Sequence, residues 1–319
     1  ILEAQVLPGA PARAHISPVK LDTTALPGGS MVMLLFVNDD HEPRYVLRMP
    51  RTPDQPERLI RNYQSLKLVA SEPRLGHSVP HPIYCGELGG ATASVETCVP
   101  GLPLAVAMRA ARDEEQVDHL AKLFRIAAEW IWNFHNQFEC GETPESEYVR
   151  HHARRAVAIL QEHGIISETQ ARWLLDVAAA SDRSFTPIAR IHGDFNPNNT
   201  LLDDTGCLYV IDWEFSGPGW PLYDLFTLAR TSWFHPSANV APSAWRAQAL
   251  WDPRTPLGRA FGEAINRYEA RYNLARADVR AMFGVFVAGL VADEIEQLRG
   301  AGSALGEPWQ ALLRASLQP

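Results

Sequence analysis

Cysteine is scarce: Cys85, Cys98, Cys140 and Cys207 are the only four in 319 residues, and no two form a CxxC pair. A disulfide scaffold needs far denser cysteine and a zinc site needs paired ligands, so both are excluded and buried, reduced thiols are expected. Long apolar runs are missing too. No stretch approaches the ~20 consecutive apolar residues of a membrane-spanning helix. The opening from Ile1 to Lys20 has Pro and Arg where a secretory signal needs an unbroken apolar core. A cytoplasmic protein with no membrane partner is expected. Positive charge is in deficit, 29 Lys and Arg against 37 Asp and Glu, for a formal net charge of -8. The chain as a whole therefore has no attraction for nucleic acid or anionic lipid, and a small cationic partner suits it better. Internal repeats and low-complexity tracts are absent.

What is present is an ordinary globular composition, 46% hydrophobic and 21% charged, in a length that suggests two domains at about 150 residues each. From Leu26 to Pro50 the pattern predicts a β-hairpin: a turn at Pro27-Gly28-Gly29-Ser30, an apolar run Met31 to Val37, a polar turn Asn38-Asp39-Asp40, then Tyr45 to Met49. A helix follows over 57–70, where Leu59, Ile60, Tyr63 and Leu66 recur at helical spacing. A short apolar segment, Ala93 to Val99, closes at Pro100-Gly101-Leu102-Pro103. Beyond it long helices are predicted within 113–138, 145–163, 167–180, 254–273 and 276–299. One stretch breaks the helical pattern. Between Ile191 and Leu225 short apolar strands alternate with Gly, Pro, Asn and Asp, and chemistry usually sits on such loops.

That stretch reads Ile191-His192-Gly193-Asp194-Phe195-Asn196-Pro197-Asn198-Asn199-Thr200-Leu201-Leu202, a turn Asp203-Asp204-Thr205-Gly206, then Cys207 to Ile211 and Asp212-Trp213-Glu214. The turn folds one short strand on the other, so Asp194 and Asn199 before the first converge with Asp212 after the second. An amide and carboxylates with no Cys or paired His beside them suit a hard cation such as Mg²⁺, which keeps sites for water or phosphate oxygens. Asn196, Asn198, Asp203 and Asp204 read as turn formers.

The segment resembles the catalytic core of the aminoglycoside phosphotransferase and choline kinase group, distant relatives of protein kinases. The likeness lies in His192-Gly193-Asp194, in Asn199, and in Ile211-Asp212-Trp213, with Gly193 standing where protein kinases have Arg. Pro221-Leu222-Tyr223-Asp224-Leu225 resembles a further stretch of the family, whose Asp braces the catalytic loop. The resemblance implies an α+β, two-lobed, protein-kinase-like fold. It places a small antiparallel-sheet lobe over residues 1–96, a hinge over 97–103 and a larger, mainly helical lobe over 104–319. It also implies a kinase that moves the γ-phosphate of ATP, ahead of GTP, to a hydroxyl of a small acceptor such as an aminoglycoside, amino alcohol or sugar. Asp194 would be the catalytic base, Asn199 and Asp212 the Mg²⁺ ligands, and His192 a hydrogen-bonding support.

In the first lobe the resemblance makes Gly28, Gly29 and Ser30 the loop over the phosphates, Arg48 the phosphate-binding cation in place of the usual lysine, and Glu96 to Cys98 the hinge that meets the purine. The helix position that normally carries a glutamate for that cation holds Asn62, and Glu57 lies more than a turn early. An Arg48 without a partner is therefore expected, and with it an alternative reading, a degenerate pseudokinase or scaffold that binds nucleotide without turnover. For the acceptor, Asp293, Glu294 and Glu296 could bind amines, while Trp220, Trp233, Phe234 and Trp245 could hold a ring or a quaternary ammonium. A solvated helix face and core tryptophans account for the same residues.

Overall fold

A computed structural model describes residues 15–21, 30–38, 40–51, 56–110, 114–139, 147–181, 188–233, 250–301 and 307–317. The chain divides into two compact units, one of residues 1–106, 192–194 and 198–217, the other of 107–191, 195–197 and 218–319.

The first unit is built on a five-stranded antiparallel sheet: β1 (Ile16–Leu21), β2 (Ser30–Val37), β3 (Tyr45–Pro50), β4 (Pro82–Leu88) and β5 (Ala91–Thr97), in spatial order β1-β2-β3-β5-β4. Alternation along the strands gives the sheet two chemically different faces. One carries Leu35, Leu47, Ala93 and Val95 in an apolar cluster, with Met33, Tyr45 and Met49 packed against it. The other carries the buried polar residues Arg48, Ser94 and Glu96. Helix α1 (Glu57–Ala70) packs against β3, β4 and β5, burying Leu59, Asn62, Ser65, Leu66 and Val69. The predicted hairpin and helix are thus found. The strands β1 and β4 at the two edges went unpredicted. The β4–β5 turn did leave a signal, because Gly89 and Gly90 both take positive φ (62° and 85°), as a two-residue type I′ turn requires.

Three short strands complete this unit: β6 (Leu102–Pro103), β7 (Thr200–Leu202) and β8 (Leu208–Val210), with β7 between the other two. The expected pairing of the two strands around the Asp203–Gly206 turn is found, Thr200 opposite Val210 and Leu202 opposite Leu208. Asp203 closes the turn, its Oδ1 accepting from the amides of Thr205 and Cys207, both at 2.9 Å.

The second unit is mainly helical, with one short strand at Ala189–Ile191. After the short α2 (Leu104–Ala110), it comprises α3 (Glu114–Gln137), α4 (Glu147–Glu162), α5 (Glu168–Ser181), α6 (Pro221–Trp233), α7 (Pro256–Tyr272), α8 (Arg276–Ala301) and α9 (Glu307–Ser316). Helix α8 is apolar all round through its middle, with Val279, Phe283, Phe286, Val287 and Val291 buried, and packs against α4, α5 and α9 as a central helix should. Rings of Phe226, Phe261, Phe283, Phe286 and Trp251 pack in edge-to-face and tilted pairs around α6 to α8. Deeper still, His135 on α3 meets the hydroxyl of Tyr268 at 2.8 Å through Nδ1 and the carboxylate of Asp224 at 3.1 Å through Nε2. All three are fully buried, and burial together with the Asp224 charge pushes Tyr268 well above the usual tyrosine range, so its hydroxyl stays protonated. No helix among the described residues is long and apolar enough to cross a membrane.

Candidate active site

The polar face of the sheet and the β7–β8 hairpin carry one connected network within the first unit. Its loop begins at His192, a fully buried ring that accepts from the Asp194 amide at Nδ1 (3.3 Å) and faces the Ile211 carbonyl with Nε2 (3.0 Å). With an N–H arriving at Nδ1, the neutral ring must carry its proton on Nε2 and donate to Ile211. The edge of the imidazole rests on Trp213, ring centroids 4.6 Å apart. His192 thus ties the start of the loop to the end of β8. Gly193 takes φ +85°, and a Cβ there would lie 2.4 Å from the Phe215 carbonyl oxygen. Only glycine meets both conditions.

Asp194 and Asn199 are brought together. The Asn199 side-chain nitrogen donates to the Asp194 backbone carbonyl at 3.0 Å and to its Oδ2 at 2.9 Å, which holds the carboxylate and commits the amide nitrogen to Asp194. The amide oxygen is then the atom with ligand chemistry for a cation. Asp212 follows β8 with φ +69°, an unusual conformation for a non-glycine residue and one that clusters at functional sites. Its Oδ1 accepts from Arg48 Nη1 at 3.1 Å.

Arg48 is not unpartnered, and here the sequence expectation needs correction. Its Nε donates to Glu96 Oε1 at 3.2 Å, with both side chains more than 90% buried. Glu96 in turn accepts from Asn62 Nδ2 through Oε2 at 2.9 Å, while Asn62 Oδ1 accepts from the Trp213 amide at 2.8 Å. The carboxylate that the helix lacks is supplied by the neighbouring strand. Burial alone would lower the Arg48 pKa, but the charges of Glu96 and Asp212 and the Glu96 hydrogen bond more than offset it, so the value is raised. Glu57 is exposed at the start of α1 and takes no part.

The remaining expectations divide. Ser30 opens β2, in register with Pro50; Gly28 and Gly29 lie outside the described residues. The amide of Thr97, at the end of β5, donates to His81 O and that of Cys98 to Arg44 O, so the Cys98 backbone N–H is already engaged within the fold. The thiols are free but less buried than expected, with Cys85 and Cys98 intermediate and Cys207 exposed; Cys140 lies outside the described residues. Asp293 and Glu296 are both paired with Arg155, the Asp293 contact at 2.7 Å, which answers their charge from within the fold. Trp220 is a core residue stacked edge-on against Phe226. Phe234 and Trp245, like the side chain of Trp233, lie outside the described residues.

Sequence reasoning missed Arg58 and Glu214. Arg58 Nη1 approaches Glu214 Oε1 at 3.5 Å, and the guanidinium carbon Cζ lies over the Phe215 ring, 5.1 Å from its centre. The Glu214 carboxyl is pushed up, first by burial and then by the Asp212 charge, with Arg58 and Arg48 opposing and Asp194 adding to the rise. The only sequence signal was its place two residues after Asp212. Four carboxylates, Asp194, Glu96, Asp212 and Glu214, thus share this network with two guanidiniums, Arg48 and Arg58. The surplus of negative charge and the all-oxygen donor set fit a divalent hard cation. Among the described residues no three His, Cys, Asp or Glu form a metal cage, so Asn199 and Asp212 would hold Mg²⁺ with its other positions left to phosphate and water.

No curated protein matches the sequence. Among solved structures, the macrolide 2'-phosphotransferase MphH from Brachybacterium faecium is 17% identical, over 96% of this chain and 94% of that one, with a TM-score of 0.55. A thermostable mutant of aminoglycoside phosphotransferase APH(4)-Ia, in a ternary complex with ADP and hygromycin B, is 15% identical over 95% and 94%, with a TM-score of 0.53. The GDP and kanamycin complex of APH(2")-IIia gives 16% identity over 94% and 91%, with a TM-score of 0.52. At such identities the likeness concerns the fold, which is the protein-kinase-like fold of these enzymes, with its antiparallel sheet and mainly helical second part. Residues 23–259 match the phosphotransferase enzyme family, and the chain belongs to that family.

Proposed function

We propose that this protein is a magnesium-dependent small-molecule kinase, transferring the γ-phosphate of a nucleoside triphosphate, ATP ahead of GTP, to a hydroxyl of an aminoglycoside, amino alcohol or sugar. The observation that carries the reading is the locked pair of Asp194 and Asn199, whose single amide nitrogen holds both the carbonyl and the carboxylate of Asp194. Asp194 then receives the acceptor's hydroxyl proton as the oxygen bonds to the γ-phosphorus. The bond to the β-phosphate oxygen breaks, and the nucleoside diphosphate leaves. Phosphoryl transfer asks little covalent work of a protein beyond alignment and neutralisation of charge. Arg48 supplies a fixed positive charge and Asn199 an orientation for the base, while Mg²⁺ at Asn199 and Asp212 would neutralise phosphate oxygens. Residues 1–96 serve as the nucleotide lobe, 97–103 as the hinge and 104–319 as the lobe that selects the acceptor. The pairing of Arg48 by Glu96 weighs against the pseudokinase alternative, which rested in part on an unpartnered cation.

The test is thermal stability with ATP, GTP and nonhydrolysable analogues, with and without Mg²⁺. A ligand about 100-fold above its Kd adds about 2.7 kcal/mol to the folded state, a rise in Tm of at least about 4 °C for a chain of this size. A magnesium-dependent rise with one nucleotide is expected, followed by phosphorylated product in an acceptor screen. No rise at millimolar nucleotide removes the reading.

A further inference from the structure

The network around Arg48 has a feature that the family resemblance does not supply. The carboxylate facing the phosphate-binding cation comes from β5 and not from α1. Antiparallel register sets Val46 opposite Glu96 and Arg48 opposite Ser94, so Arg48 and Glu96 are diagonal neighbours on one face, within reach for long side chains. The contact engages Nε, the edge of the guanidinium nearest its stem, and leaves Nη1 for Asp212. A lysine ammonium has one nitrogen and cannot be held at one edge while presenting another. The guanidinium at position 48 and the strand carboxylate at position 96 therefore form a matched pair.

Asn62, at the helix position where the family has its glutamate, keeps a different task. Its amide can satisfy both neighbours in only one orientation, nitrogen toward Glu96 Oε2 and oxygen toward the Trp213 amide. That amide belongs to the residue directly after Asp212. Asn62 is 2% exposed and Glu96 3%, so neither hydrogen bond competes with bulk water.

We propose that Glu96 is the positioning carboxylate of Arg48, and that Asn62 links this anchor to the backbone that carries Asp212. The proposal rests on the kinase reading: it holds the phosphate-binding guanidinium and a metal-holding aspartate in one frame. Two variants test it. Glu96→Gln removes the charge while keeping the shape. Glu96→Gln combined with Asn62→Glu moves the carboxylate to the helix. There one oxygen of the transplanted carboxylate can accept from the new side-chain amide on β5, and the other can still accept from the Trp213 amide.

Three quantities are measured for each protein: Kd for the magnesium complex of a nonhydrolysable ATP analogue, the kcat and KM of transfer, and solvent exchange of the ¹⁵N-labelled Arg48 Nε–H. The single variant is expected to raise Kd and nucleotide KM about tenfold, equivalent to about 1.4 kcal/mol, with acceptor KM unchanged and Nε–H exchange accelerated. The double variant is expected to return Kd to within about threefold of the parent and to restore protection. A folded single variant with parental Kd overturns the proposal, as does a folded double variant that stays as weak as the single one. If the single variant fails to fold, the double variant against the parent decides in the same way. Failure of the unaltered protein to bind nucleotide overturns the kinase reading itself, and Arg48 Nε–H exchange then still decides whether Glu96 holds Arg48.

Discussion

Asp194→Ala should reduce kcat for phosphoryl transfer by about 10³-fold, within the range that removal of a general base produces, while Tm falls only slightly. The stability side follows from local geometry. The side chain is half-buried and its carboxylate accepts from Asn199 Nδ2, so its removal costs about 1 kcal/mol for one hydrogen bond. The His192 ring and the Asp194 amide, which shape the loop, remain. The rate side follows from the absence of a substitute. Glu214 shares the network, but Arg58 engages it. Asp194→Asn separates charge from shape: it can still accept from Asn199 yet cannot take a proton, and the same loss of rate is expected. Steady-state transfer with each variant, checked by thermal melts, is decisive. A variant with parental kcat ends the assignment of Asp194 as the base.

The elements legible from the sequence are those whose information is local. The hairpin of β7 and β8 was readable because Asp203-Asp204-Thr205-Gly206 encodes its own turn, the Asp203 carboxylate capping amides two and four residues on. Helices α3, α4, α5, α7 and α8 announced themselves through apolar spacing, which is a property of one segment, whereas α6 (Pro221–Trp233) went unpredicted. The edge strands did not announce themselves either. β1 buries little, its last four residues exposed, and Pro18 is tolerated because an edge strand need not donate at every residue. The partner of Arg48 was illegible for a related reason. Glu96 is 48 residues away, and the two strands are neighbours only because β5 inserts between β3 and β4. A diagonal contact across that pair depends on register, which no single segment contains. Reading Asn62 as a lost glutamate was sound as local inference and wrong about its consequence, since the charge had moved to another element.

The same dependence on non-local packing governs Gly193. Gly193→Ala should lower stability by about 3 kcal/mol, from left-handed strain of about 1–2 kcal/mol and overpacking of about 1–3 kcal/mol. The atoms that the new methyl meets are the Phe215 carbonyl oxygen at 2.4 Å and its carbon at 2.9 Å, backbone atoms that cannot rotate aside. Either the His192–Asp194 loop or the Trp213–Phe215 segment must move, and both carry site residues. Displacement of about 1 Å at a reacting centre costs about 10²-fold in rate. The variant is therefore expected to melt about 4–5 °C lower and, when assayed well below its own Tm, to turn over about 10²-fold more slowly. A larger residue, such as the arginine of protein kinases, meets the same carbonyl with less freedom. The glycine here is bound to the close approach of the segment after Asp212, and the two features are expected to tolerate change only together. Parental Tm and rate in Gly193→Ala would show that the loop can yield without disturbing Asp194.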